Sequence, residues 1–194
     1  MSLFGNATIL LASKSPRRRQ LVQQLGLPFQ VVEIDVDESL ANPVPAHLVA
    51  QTLAQLKADA YTAPLHDGQI LLTADTIVAL DGQVLGKPKT KEQAAAMLQA
   101  LSGRAHEVYT GVSLRNARHQ KLFTESTIVH FRTLSDEAID YYIAGGGPMD
   151  KAGAYGIQDW IGLYGVERIE GCYYNVMGLP VPRICKELEG LSGR

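Results

Sequence analysis

Apolar residues along the chain fall alternately into short continuous runs and helical spacings, a pattern that predicts strands and helices in turn. Residues 7–12 are a short run, apolar but for Thr8, so they predict a strand buried on both faces. Ser15-Pro16 then opens a helix, because Ser is a good N-cap and Pro belongs at the first helical position. Leu21, Val22 and Leu25 mark its apolar face and Gly26 its stop. Residues 29–34 read as a second strand that runs into the acidic Asp35, Asp37 and Glu38. Leu48, Val49, Leu53 and Leu56 predict a helix over 45–61. Residues 70–73 read as a third strand, and 76–80 with 83–85 as a hairpin around Asp81-Gly82, a pair that favours a type I′ turn. Thr90-Lys91-Glu92-Gln93 is a capping box for a helix through Leu101. Strands are expected at 108–115 and 127–132, paired with each other. Ser135 caps a helix through Ala144 that the run Gly145-Gly146-Gly147-Pro148 ends. Residues 150–180 are Gly-rich and carry no clear period, and 182–188 predict a last helix. Alternation of this kind argues for an α/β or α+β fold.

Composition narrows the class. The 194 residues suit one domain, or two fused lobes with a soft boundary near 86–90. With 46% hydrophobic and 20% charged residues the chain is globular. A net charge of -2 makes nucleic acid an unexpected partner, so any anion site must be a local concentration of cations. The 2 cysteines, Cys172 and Cys185, form no ligand or disulfide spacing and read as reduced thiols. No leader-like or membrane-spanning apolar run is present, which points to the cytoplasm.

The candidate chemistry begins at Ser13-Lys14-Ser15-Pro16-Arg17-Arg18-Arg19. The cap signals put three arginines in a first helical turn, where the helix dipole is already positive. Arg17 and Arg18 there suit phosphate, since a helix N-terminus after a buried strand binds anions and guanidinium forks match phosphate oxygens. Arg19 reads as solvated. Glu38 and Asp75 lie at the predicted ends of two strands, where α/β sheets gather ligands. Each is either a ligand of Mg²⁺ or Mn²⁺, or a proton acceptor, or a turn or loop carboxylate with no chemical role. Lys57 and Lys87 are candidates for neutralising a departing phosphate, and a snorkelling Lys57 is the plainer alternative. In Asp150-Lys151-Ala152-Gly153-Ala154-Tyr155-Gly156-Ile157-Gln158 the glycines permit close backbone approach, and Gln158 can read a base edge. His106, His119 and His130 show no zinc spacing and read as structural or surface groups. Neither a Walker A loop nor a Gly-x-Ser-x-Gly elbow occurs.

These segments, with Leu53-Ala54-Gln55-Leu56-Lys57-Ala58, Ala74-Asp75-Thr76, Gly86-Lys87-Pro88, Ser102-Gly103-Arg104-Ala105-His106-Glu107-Val108 and Gly178-Leu179-Pro180, resemble the Maf family in consistent order over residues 10–180. The resemblance implies an inosine-triphosphatase-like α/β fold, with a mixed central sheet flanked by helices and a cleft between two lobes. It implies a nucleoside triphosphate pyrophosphatase that uses a divalent metal, Mg²⁺ or Mn²⁺, and often forms a homodimer. By the same resemblance Asp75 matches the catalytic acidic residue and Glu38 a metal-site carboxylate. Ser13, Arg17, Arg18, Lys57 and Lys87 match phosphate-handling positions, and Arg17, Thr76 and Gln158 match positions tied to substrate choice. The Lys151 to Gln158 string is similar to the branch acting on dTTP and UTP, not the one acting on 7-methyl-GTP. The competing readings are a nucleotide-binding regulator of cell division without turnover, a 7-methyl-GTP-type pyrophosphatase, and a phosphatase removing one terminal phosphate.

Overall fold

A computed structural model describes residues 4, 6–40 and 42–191. Its strands form one mixed sheet in the order β2-β1-β3-β5-β6-β7, with β4 paired to β3. β1 (Thr8–Leu11) lies parallel to both β2 (Phe29–Val31) and the first part of β3 (Gln69–Leu80). β4 (Gln83–Leu85) runs antiparallel to the second part of β3, and β7 (Val166–Glu170) antiparallel to β6 (Gln120–Phe131). β5 (Ala105–Arg115) lies between β3 and β6. Helices α1 (Pro16–Gln24), α2 (Ala46–Ala60), α3 (Lys91–Leu101), α4 (Asp136–Ala144), α5 (Trp160–Gly165), α6 (Tyr173–Val176) and α7 (Val181–Leu191) complete the fold.

The chain divides into two compact units. The first takes residues up to Asp75, then Thr110–Glu125 and the chain from Gly178; the second takes Thr76–Tyr109 and Ser126–Met177. The segment 86–90 lies within the second unit. Strands β3, β5 and β6 each contribute residues to both units.

In the first unit β1 is buried on both faces, with Ile9, Leu10 and Leu11 all nearly inaccessible. α2 lies against the sheet along a stripe of alanines, Ala50, Ala54 and Ala58, all fully buried. The approach is so close that a Cβ on Gly111 of β5 would sit 2.2 Å from the Ala50 carbonyl oxygen. Thr73 seals the same contact, its hydroxyl donating to the Ala54 carbonyl at 2.6 Å. In the second unit Leu98 of α3, Ile139 of α4, Val129 and Phe131 of β6, and Tyr155 are buried.

The local signals for helices hold. Ser15 caps α1 by accepting from Arg18 N–H, with Pro16 at the first position; Thr90 caps α3 and Ser135 caps α4. Asp81 and Gly82 both take positive φ, 51° and 75°, as a type I′ turn requires.

Several boundaries differ from expectation. β2 stops at Val31, short of Ile34, because β1 ends: Val32 N–H bonds the carbonyl of Leu11, the last residue of its partner. The expected break between a third strand and a hairpin is absent, and β3 runs unbroken for 12 residues. Asp75 is therefore in mid-strand. Its parallel neighbour β1 pairs only as far as Leu11 opposite Leu72, so Asp75 lies just beyond the end of the parallel ladder. β5 and β6 both begin earlier than their apolar centres suggest. The region 150–180 resolves into a 3₁₀ turn (Ala152–Ala154), α5, β7 and α6.

Candidate active site

Six of the nine expected site residues, Ser13, Arg17, Arg18, Glu38, Lys57 and Asp75, lie in the first unit. The β1–α1 turn supplies the first three. Arg17 and Arg18 occupy the first turn of α1, both partly buried, while Arg19 is exposed as expected of a solvated residue. The Arg18 guanidinium is anchored at two points: Nε donates to the Gly178 carbonyl at 2.8 Å and Nη1 lies 3.5 Å from Ser13 Oγ. Burial lowers the Arg18 pKa, the negative charge of Asp75 raises it, Arg17 lowers it, and Glu38 raises it again. The cationic helix start is thus in the field of both carboxylates.

Lys57 ties those carboxylates together. Its ammonium lies 2.5 Å from Asp75 Oδ1 and 3.0 Å from Glu38 Oε1. The Lys57 and Asp75 side chains are 12% and 15% exposed, whereas Glu38 is mostly open to solvent. A pair this sheltered is less screened than a surface ion pair. The alanine stripe explains how Lys57 gets there: α2 lies so close to the sheet that the next residue round the helix reaches the middle of β3. Among the described residues no cluster of three or more His, Cys, Asp and Glu side chains gathers.

Thr76, Lys87 and Gln158 lie in the second unit. The loop that follows β4 is tied to the 3₁₀ turn, where Gly153 N–H donates to the Gly86 carbonyl at 3.1 Å, next to an exposed Lys87. Gly153, at φ 67°, packs against Val78 with no room for a side chain. Gln158 is exposed at the end of the same loop. His106 is a core residue. Its ring packs edge-on to Phe131 and Tyr155, and Nε2 shares a 2.7 Å hydrogen bond with the Tyr155 hydroxyl.

Two features were not foreseen from sequence. One is the Gly178 carbonyl as a support for Arg18, a contact 160 positions apart for which a Gly-Leu-Pro string gives no chemical signal. The other is Lys57 on both carboxylates. Its place on α2 beside buried alanines was the available signal, since a lysine there must find a counter-charge or snorkel.

The Maf-like protein family matches residues 8–191. A Bacteroides thetaiotaomicron protein named dTTP/UTP pyrophosphatase is 48% identical, over 94% of this chain and 95% of its own length. Proteins of the same name from Porphyromonas gingivalis and Christiangramia forsetii are 45% and 41% identical, the first over 93% of this chain and 92% of its own, the second over 96% and 95%. A solved Ham1 protein of Staphylococcus aureus aligns over 64% of this chain and 71% of its own, with a TM-score of 0.43 and 16% identity, a likeness that adds nothing to the fold read from the strands. With the family match spanning nearly the whole chain and full-length relatives above 40% identity, the chain belongs to the Maf-like family.

Proposed function

We propose that this chain is a metal-assisted nucleoside triphosphate pyrophosphatase that converts dTTP and UTP to the monophosphate and pyrophosphate. The observation that carries the reading is the set built around Lys57: a capped helix start bearing Arg17 and Arg18 in the field of two carboxylates that one ammonium holds together. Names of relatives over almost the full chain supply the base preference.

Arg17, Arg18 and Ser13 hold the phosphate oxygens, the guanidinium forks matching their geometry. Gly178 fixes the plane of Arg18 so that it need not reorganise when the anion arrives. Asp75, oriented by Lys57, takes the proton of an attacking water. The water oxygen bonds to the α-phosphorus as the bond from that phosphorus to the α,β-bridging oxygen breaks. Pyrophosphate leaves with the electron pair, and Lys57 and Lys87 offset its charge. Thr76 and Gln158 position the base. Asp75 and Glu38, the two carboxylates that face the Lys57 ammonium, would hold a divalent cation such as Mg²⁺, which is usually held by one or two carboxylates plus substrate phosphates and not by a protein cage. When bound, such a cation neutralises phosphate charge and lowers the pKa of a coordinated water.

Supporting a cytoplasmic place of action, the substrates are intracellular nucleotides, and among the described residues no helix is long and apolar enough to cross a membrane. The assembly is proposed to be a homodimer, which size-exclusion chromatography with light scattering tests.

The experiment is pyrophosphate release from a panel of nucleoside triphosphates with Mg²⁺, Mn²⁺ or chelator. Cation-dependent pyrophosphate from dTTP and UTP, with little from 7-methyl-GTP, is the expected result. Asp75→Asn should lower kcat roughly 10²- to 10⁴-fold while nucleotide still binds. Binding without pyrophosphate from any nucleotide would instead leave a regulator, with Lys57, Asp75 and Glu38 as a structural ion-pair set. Inorganic phosphate as the product would mean a phosphatase.

A further inference from the structure

Asp159 opens α5 but does not cap it. Its carbonyl accepts from Gly162 and Leu163 N–H, yet its carboxylate makes no capping hydrogen bond. A carboxylate at that position ordinarily accepts from the first-turn N–H groups. Here Oδ2 accepts a 2.7 Å hydrogen bond from the Tyr142 hydroxyl and lies 3.2 Å from the Lys151 ammonium. The same ammonium lies 2.9 Å from Asp150 Oδ1 and donates to the Gly147 carbonyl, and its side chain is 12% exposed. One carboxylate oxygen therefore joins three points of the second unit: Tyr142 on α4, Lys151 at the start of the loop, and Asp159 at its end.

Gly156 lies inside this arrangement. A Cβ there would come within 2.8 Å of Asp159 Oδ2 and 2.9 Å of Lys151 Cε, so an alanine at that position would have to displace the ends of the two side chains that make the contact. The preceding Tyr155 is fixed in the core by His106. Gln158 is flanked by these two anchors, one residue before Asp159, and its own side chain is exposed. The backbone is held on both sides of a side chain left open to solvent, as a recognition group needs.

We propose that Tyr142, Lys151 and Asp159 form a clasp that positions Gln158 and through it sets the preference for pyrimidine over purine nucleotides. The inference rests on the proposed base-reading role of Gln158. The three are positioning residues and touch no substrate.

The test is a double-mutant cycle. The wild type, Tyr142→Phe, Gln158→Ala and the double variant are compared by KM and kcat for UTP, by the ratio of kcat/KM for UTP to that for GTP, and by thermal midpoint. Tyr142→Phe should lower the ratio roughly 10-fold, the lower end of what one hydrogen bond to a charged group is worth, mainly through KM for UTP. In the Gln158→Ala background it should lower the ratio no further. Asp159→Asn keeps an acceptor for Tyr142 but removes the charge facing Lys151; it should shift the ratio in the same direction, and it replaces Tyr142→Phe if that variant does not fold. A lower midpoint with an unchanged ratio, or an equal fall in both backgrounds, overturns the clasp. A Gln158→Ala ratio equal to wild type overturns the base-reading role and the clasp with it, whereas an altered Gln158→Ala ratio without coupling overturns the clasp alone.

Discussion

At the scale of single residues, His106 shows how burial becomes a pH dependence. Its imidazole is 1% exposed, and Nδ1 has no hydrogen-bond partner among the described residues. Burial, with a smaller contribution from His130, lowers its pKa from 6.5 to about 4. The unfolded imidazole takes a proton near 6.5 and the folded one only near 4, so the unfolded state binds more protons within that window. The stability associated with neutral His106 is complete above pH 6.5 and is lost as the pH falls toward 4. The loss amounts to about 3 kcal/mol, since each tenfold change in proton affinity is worth about 1.4 kcal/mol. Urea titrations from pH 7 to pH 4 should show this fall in the wild type and a shallower one in His106→Gln. Equal slopes in the two proteins would sink the assignment. The sequence already placed this histidine outside any zinc set, but its partner Tyr155, 49 positions away, depended on how the loop folds back. Arg17 and Arg18 were legible for the opposite reason, because a cap, a proline and misplaced positive charge all sit within four consecutive residues. Lys57 stood in between: its helix was readable, its counter-ions were not.

Elements were legible where their signals are local. Ser15, Thr90 and Ser135 each cap the expected helix, and Asp81-Gly82 makes the expected turn. Strands were harder, since their length is set by the neighbour they pair with. A strand boundary was expected at Ala74-Asp75, yet β3 continues through it, and β2 is cut short by the end of β1. The close approach of α2 to β5 was not legible at all, because a glycine in a strand and alanines in a helix each have several explanations. That approach makes a prediction about the site. Gly111→Ala would force a Cβ to 2.2 Å from the Ala50 carbonyl oxygen and 2.3 Å from its carbon, and backbone must move. Overpacking of this kind costs about 1–3 kcal/mol. It should also lift α2, so that Lys57 loses its register with Asp75 and kcat for UTP falls by more than the loss of folded protein explains. Gly190→Ala on α7, where beyond its own helix no atom of the described residues lies within 4 Å of the new Cβ, is the control and should be neutral or slightly stabilising. A stable Gly111→Ala protein with full kcat would mean that the helix does not set the position of Lys57.

For the whole molecule, the two units are not separate beads on a chain. β3, β5 and β6 each belong to both, so neither unit can unfold without breaking strands of the other. Strands shared between the two units favour one cooperative transition over two independent ones. The single tryptophan, Trp160, lies in the second unit, whereas far-UV circular dichroism reports helices and strands of both. Denaturation followed by the two probes should therefore give coincident midpoints. The proposed phosphate contacts, Arg17 and Arg18, are in the first unit, and the proposed base contacts, Thr76 and Gln158, in the second. A nucleotide that binds the folded chain and not the unfolded one stabilises it by mass action. With the Asp75→Asn variant, which binds without turning over, UTP at 100 times its Kd should raise the unfolding free energy by about 2.7 kcal/mol. The same shift should appear in Trp160 fluorescence and in circular dichroism. A nucleotide gripped by its phosphates alone, on units that unfold independently, would move the dichroism and leave Trp160 where it was, and that outcome would separate the phosphate site from any reading of the base.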